Sequence, residues 1–140
     1  PVLSTNRPKE ALVADDHLEN LQLVCRLLEN NGMARVDGVA NGRDAVAAWQ
    51  RGAYDLAVFD WKMPELGGLE ALRQIRALEQ QTGRRRTAVV IVTGRTGDVD
   101  RRTCLAAGAD ECVPKPYLPE ELIAAVERAL GREKSPAALA

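Results

Sequence analysis

Histidine occurs once in this chain, at His17, and cysteine three times, at Cys25, Cys104 and Cys112, with no C-x-x-C pair. A structural zinc site draws four nitrogen or sulfur ligands from short, paired spacings, so that class is excluded. Each cysteine stands in an apolar stretch, where a free thiol behaves as a small hydrophobe, and a reducing, cytoplasmic setting is expected. Aromatic residues make up only 4% of the chain, and none interleaves Arg84, Arg85 and Arg86 or Arg101 and Arg102. Direct nucleic-acid binding is therefore not expected. Net charge is nearly absent as well: 19 Lys plus Arg against 20 acids leave −1, so no global field recruits a polyanion or an anionic membrane. The longest apolar runs, such as Ala88 to Val92, fall far short of the ~20 residues that cross a bilayer. Membrane insertion is not expected, and no charged-then-apolar opening segment suggests a secretory leader.

What is present is an ordinary globular composition, 46% apolar and 28% charged over 140 residues. One domain of this size removes roughly 68 to 70% of its unfolded surface from water. Short apolar runs alternate with longer stretches whose apolar residues recur three and four apart. Leu12 to Ala14 reads as a strand, followed by a helix from Leu18 to Asn30 with Leu21, Val24, Cys25 and Leu28 on one stripe and Gly32 just beyond it. A weak strand from Val36 to Ala40 precedes a helix that Asn41 caps, buried through Ala45, Val46 and Trp49 and broken by Gly52. Leu56 to Phe59 and Ala88 to Val92 are continuous apolar runs, the mark of strands covered on both faces. Between them Leu69, Leu72, Ile75 and Leu78 mark a third helix. A fourth runs from Asp98 to Ala107, and a short strand from Glu111 to Val113 follows. Pro119, with Glu120 and Glu121 behind it, opens a last helix that Gly131 is expected to end. Five strands alternating with five helices make βαβ units, hence a doubly wound α/β fold with a parallel sheet and helices on both faces. The domain is expected over residues 9–131, with 1–8 and 132–140 as flexible flanks.

Ligands of open parallel sheets bind at the carboxyl ends of the strands, so the residues that close each strand matter most. The first strand ends in Asp15 and Asp16, the third in Asp60 and the fourth in Thr93, while the fifth leads to Lys115. Two unit charges ~4 Å apart repel by about 4 kcal/mol at an effective dielectric of 20. A proton, the ammonium of Lys115 or a divalent cation could offset that repulsion. Mg²⁺ suits oxygen ligands best, since it takes one or two carboxylates, keeps waters and accepts a phosphate oxygen. A metal, a lysine and a hydroxyl together surround a transferred phosphoryl group, with Asp60 as the nucleophile. No glycine-rich phosphate loop and no dinucleotide fingerprint competes with this reading.

With these residues in order, the sequence resembles a receiver domain, the phosphoacceptor module of two-component response regulators and hybrid histidine kinases. The likeness covers Lys9 to Gly131. It rests on Val13-Ala14-Asp15-Asp16, Asp60-Trp61-Lys62-Met63-Pro64 with Gly67-Gly68, Val92-Thr93-Gly94, Ala107-Gly108-Ala109-Asp110 and Lys115-Pro116. The resemblance implies a flavodoxin-like five-stranded sheet of order 2-1-3-4-5, which places Pro114 on an edge strand where a proline is tolerated. It implies that Asp60 takes its phosphoryl group from a phosphohistidine on a histidine kinase or histidine-phosphotransfer protein. Mg²⁺ would be ligated by Asp16, Asp60 and the backbone carbonyl of Lys62, with Asp15 acting mainly through water. Thr93 and Lys115 would contact the phosphoryl oxygens, with a cis bond between Lys115 and Pro116. Such a domain assists its own modification and is not a turnover enzyme. The stretches Asp60 to Pro64 and Cys104 to Gly108 are similar to receivers at the carboxyl end of hybrid kinases, and a homodimer stays open.

One position departs from the family. Receivers usually carry Tyr or Phe three residues before the lysine, a ring that turns inward when the hydroxyl residue moves toward phosphate, and here Cys112 stands there. Lys62 and Arg95, each two residues past a site residue, occupy positions that tune phosphoryl lifetime in the family. His17 reads as the start of an exposed helix, Trp49 and Trp61 as packing residues, and Cys112 as buried. Two other readings remain: a degenerate receiver that only binds a partner, and a Mg²⁺-dependent phosphohydrolase. The second would want an aspartate at the position of Lys62.

Overall fold

The computed structural model describes residues 8–94 and 98–134. The elements alternate along the chain as β1 (Glu10–Ala14), α1 (Leu18–Asn30), β2 (Arg35–Val39), α2 (Gly42–Arg51), β3 (Leu56–Asp60), α3 (Gly68–Thr82), β4 (Ala88–Thr93), α4 (Asp98–Ala106), β5 (Glu111–Pro114) and α5 (Pro119–Lys134). The five strands form one sheet of order β2-β1-β3-β4-β5. All pairs are parallel. The doubly wound architecture and its strand order are those expected, and Pro114 lies on the edge strand opposite Thr93.

The apolar runs of the strands are explained by burial on two faces. Alternate side chains of a strand point to opposite sides of the sheet. Ala11, Val13, Leu56, Val58, Val90 and Val113 accordingly pack under α1 and α5, against Val24, Leu28, Leu122 and Val126. Leu12, Ala14, Ala57, Phe59, Val89 and Ile91 face the other way and meet α2, α3 and α4 through Trp49, Leu72, Ile75 and Cys104. Residues 11–14 and 56–60 are buried throughout. A strand with only one covered face would have alternated apolar with polar.

Element ends differ from the sequence reading where pairing or packing extends them. β1 starts at Glu10 because its N–H donates to Asp55 Oδ2 at 2.9 Å and the residue pairs with Arg35. β2 ends at Val39, α4 ends at Ala106, and β3 and β4 take in Asp60 and Thr93. Gly131 does not end α5, which runs on to Lys134. Its φ is not left-handed and nothing crowds a Cβ there, so the helix absorbs the glycine at about 1 kcal/mol relative to alanine. Residues 132–134 thus belong to the helix and not to a flank. The remaining flank positions, 1–7 and 135–140, lie outside the described residues.

The arginine run before β4 is spent inside the fold. Arg84 stacks over the Trp49 ring at 4.2 Å and donates to the Gly52 carbonyl, Arg85 pairs with buried Asp55, and Arg86 with Asp110. Trp49 is a core residue whose Nε1 donates to Thr87 Oγ1 at 2.8 Å. On the other edge, Tyr54 donates to Asp37 Oδ2 at 2.6 Å. Burial, with the added charge and hydrogen bond of Asp37, pushes the phenol up from 10.0 to about 12. The folded state therefore holds this proton more tightly than the unfolded chain does, and its contribution, full below about pH 10, is lost as pH rises toward 12. Denaturant unfolding across that window should show a fall in stability that Tyr54→Phe reduces; equal slopes in both proteins would contradict the assignment.

Candidate functional site

The site lies at the carboxyl edge of the sheet, where β1, β3, β4 and β5 end. Asp15 follows β1 and is nearly buried, at 7% exposure, as is Asp60 at the tip of β3. Asp15 Oδ1 accepts the N–H of His17 at 2.9 Å, which turns the chain into α1. The helix N-cap itself is His17, whose side chain makes no capping bond. Its ring instead places Nδ1 3.5 Å from Asp15 Oδ1 and 3.4 Å from Asp16 Oδ1. One ligand atom each from Asp15, Asp16, His17 and Asp60 lie within 4.8 Å of one another. The exposed helix start read for His17 is correct, but the ring also joins the acidic group. Its place directly after the acidic pair offers a metal-ligand reading that the sequence ranks below the exposed helix start, and the structure sets the ring beside those acids.

Across the cluster, Lys115 Nζ sits 2.9 Å from Asp60 Oδ1. The lysine reaches it from the end of β5, two strands away, just before the cis Lys115–Pro116 bond. Burial raises the Asp60 carboxyl above the ordinary carboxylate range; the hydrogen bond and charge of Lys115 oppose this, and Asp15 and Asp16 add to it. For Lys115 the balance tips the other way: burial acts against the ammonium, yet the hydrogen bond and charge of Asp60 outweigh it and hold the group above its usual value. The carboxylate is thus an electrostatically costly anion and the lysine a well-held cation, two statements that agree because three acids share one ammonium.

Thr93, 1% exposed, closes β4 at the same edge, and its carbonyl accepts the Lys115 N–H at 2.7 Å. Lys62 is exposed on the loop after β3, where it lines an open pocket of about 440 Å³ with Asp16 and Trp61. That loop is pressed onto the site by glycine. A Cβ on Gly68 would lie 2.2 Å from the Asp60 carbonyl oxygen, so only glycine lets α3 begin against the backbone of Asp60. Arg95 lies outside the described residues. The structure therefore gathers Asp15, Asp16, His17 and Asp60 with Lys115 on Asp60, while Thr93 is buried at the end of β4 and Lys62 lies exposed on the loop after β3.

Three convergent carboxylates are hard oxygen donors and fit a small dication that takes few protein ligands. The ammonium beside them suits an anion that bears several oxygens. A carboxylate oxygen, a cation site and an ammonium within one cleft make an arrangement for transfer of a phosphoryl group to oxygen.

Comparison with known proteins agrees with this arrangement. The response regulator receiver domain family matches residues 11–127. The transcriptional regulatory protein CpxR homolog of Haemophilus influenzae is 37% identical over 125 residues, covering 89% of this chain and 52% of that protein. The virulence sensor protein BvgS of Bordetella pertussis is 38% identical over 127 residues, covering 89% of this chain and 10% of that protein. The chain thus spans about half the length of the first and a tenth of the second. Among solved structures, the receiver domain of the sensor histidine kinase PA1611 from Pseudomonas aeruginosa, with a magnesium ion coordinated in its active-site cleft, superposes with a TM-score of 0.76 at 34% identity. The match covers 89% of this chain and 99% of that one. The chemotaxis response regulator CheY4 of Vibrio cholerae gives 0.79 at 28% identity, over 88% and 99%. By fold, by site and by sequence, this chain belongs to the response regulator receiver domains of two-component signalling.

Proposed function

We propose that Asp60 is the acceptor of this receiver domain, taking a phosphoryl group from a phosphohistidine on a histidine kinase or histidine-phosphotransfer protein. The observation that carries this reading is the 2.9 Å contact of Lys115 with Asp60 inside the cluster of acidic oxygens. The Asp60 carboxylate oxygen attacks phosphorus, the P–N bond of the donor breaks, and the imidazole leaves with the electron pair and takes up a proton. Lys115 and Thr93 meet the charge that develops on the phosphoryl oxygens, one with an ammonium and the other with a hydroxyl. Asp15, Asp16, Asp60 and the carbonyl of Lys62 would hold Mg²⁺, which when bound neutralises both the acids and the phosphoryl oxygens. The domain occupies residues 9–131 with α5 continuing to Lys134, acts on the cytoplasmic side, and uses its chemistry to modify itself and not to turn over a substrate.

The donor's approach is supported by the surface beside the site. A groove of about 760 Å³ runs between α1 and the segment after β5, lined by Leu23, Leu27, Pro116 and Tyr117, with Asp15 and Lys115 at its inner end. Leu18, Leu23 and Leu118 are 60 to 65% exposed, an apolar rim suited to a helical donor protein.

Incubation with Mg²⁺ and a small acyl-phosphate or phosphoramidate donor should add one hydroxylamine-labile phosphoryl group per chain. Chelation of the metal should suppress the yield on the order of a hundredfold. Mg²⁺ at a hundredfold excess over its dissociation constant should also stabilise the fold by about 2.7 kcal/mol. No phosphate gained from such donors or from phosphohistidine, with no stabilisation by Mg²⁺, would leave a domain that only binds a partner.

A further inference from the structure

The family's aromatic position is taken by Cys112, and the structure brings a second thiol to it. Cys104 on α4 and Cys112 on β5 are both buried and belong to the same core cluster. α4 meets the sheet chiefly along β5, and the two thiols neighbour each other across that seam within one buried cluster. Only a short turn links their elements, tightened by the Ala109 N–H donating to the Cys104 carbonyl at 3.3 Å. Cys112 also lines a surface pocket of about 370 Å³, whose wall includes Arg101 and Arg128. A small oxidant thus has a route to this strand from solvent, past two guanidinium groups.

We infer that Cys104 and Cys112 form a peroxide-responsive dithiol site, with Cys112 as the attacking sulfur and Cys104 as the resolving one, joined on oxidation as an intramolecular disulfide between α4 and β5. The roles follow from access: Cys112 lines the pocket that opens to solvent, whereas Cys104 is wholly buried. The nearness of Cys104 favours a thiolate at Cys112, burial opposes it, and the charge of Arg101 assists it. The same contact, with burial, pushes the Cys104 thiol up. Thiolate, not thiol, is the nucleophile. The Cys112 sulfur attacks one oxygen of a hydroperoxide, the S–O bond forms, the O–O bond breaks, and the leaving oxyanion takes a proton to become water or an alcohol. Sulfur is oxidised by two electrons to the sulfenic acid and the peroxide is reduced. Cys104 then attacks that sulfur, the S–S bond forms, the S–O bond breaks, and hydroxide leaves with the Cys104 proton as water. The product fastens α4 to the strand that leads to Lys115. It requires no metal and no phosphate at Asp60, so it stands or falls apart from the phosphoacceptor reading.

The test is treatment of the whole chain with hydrogen peroxide, followed by intact-mass measurement and alkylation after unfolding. A loss of two hydrogens, a Cys104–Cys112 cross-linked peptide, one remaining alkylatable thiol at Cys25, and reversal by dithiothreitol are expected. Cys25→Ser should behave the same way. Cys104→Ser should accumulate a sulfenic acid trapped by dimedone on Cys112, on the order of tenfold faster than Cys112→Ser accumulates one on Cys104. Three alkylatable thiols after peroxide, a link that involves Cys25 or a second chain, or equal labelling in the two single variants would overturn the proposal.

Discussion

Asp60→Asn is expected to lower phosphoryl incorporation by about a thousandfold or more, because a nucleophile acting with its partners as a unit cannot be replaced by them. The amide keeps the size of the side chain and can still accept from Lys115, so the variant should fold. It should in fact be more stable than the parent in Mg²⁺-free buffer. Burial and the neighbouring Asp15 and Asp16 raise the Asp60 carboxyl from 3.8, which means the folded state resists its ionisation. Below that value both proteins carry a neutral group and should unfold alike. As pH rises through the folded-state value the parent loses stability and the variant does not. Saturating Mg²⁺ should reverse the order, since the parent alone keeps the full set of anionic ligands. Urea unfolding at pH 3 and pH 7, with chelator and with Mg²⁺, reads all of this in one series. A variant less stable than the parent in chelator at pH 7 would contradict the electrostatic account, and retained phosphorylation would move the acceptor elsewhere.

Asp110→Ala should cost about 3 to 5 kcal/mol, the range for breaking a buried, hydrogen-bonded charge pair on one side. Asp110 Oδ2 accepts the buried Val89 N–H at 2.8 Å and meets Arg76 Nη2 at 3.3 Å, while Oδ1 takes Arg86 at 2.7 Å. Arg76, only 16% exposed, also pairs with Glu79 at 2.8 Å and donates to the carbonyls of Thr87 at 2.8 Å and Gly108 at 3.0 Å. The network thereby joins α3, the start of β4 and the turn before β5. Removing its central acid strands an N–H and part of a guanidinium away from water. A drop of roughly 10 to 17 °C in melting temperature is expected. Arg86→Ala should cost at most about 1 kcal/mol, because that side chain is 46% exposed and an exposed pair contributes little. Similar losses in the two variants would show that the buried network is not what holds this corner.

Ala107-Gly108-Ala109-Asp110 was legible as part of the family resemblance, yet its physical purpose was not. Gly108 has a φ of 113°, and a Cβ there would lie 2.9 Å from Arg76, so the motif serves the Arg76 network and not the acidic site. Nothing within ten residues of Asp110 announces Arg76. The same holds for Cys104 and Cys112, whose apolar neighbours foretold burial but not each other. Gly131 failed in the opposite sense: a glycine near a helix end reads as a stop, and an open solvent-facing position lets the helix continue through it.

The order and kind of all ten elements, the two-sided burial of the central strands and the polar residues that close or follow four of the five strands were determined by the sequence alone, because apolar period and turn chemistry act between near neighbours in the chain. Tertiary structure alone decided which of those closing residues touch. Asp60 and Lys115 end β3 and β5 with β4 between them, and their 2.9 Å contact exists only once sheet order, parallel register and the turn at Pro116 are set together. His17 beside the acids, Arg76 beneath Gly108 and the paired thiols depend on the same long-range closure, which no local preference of the chain encodes.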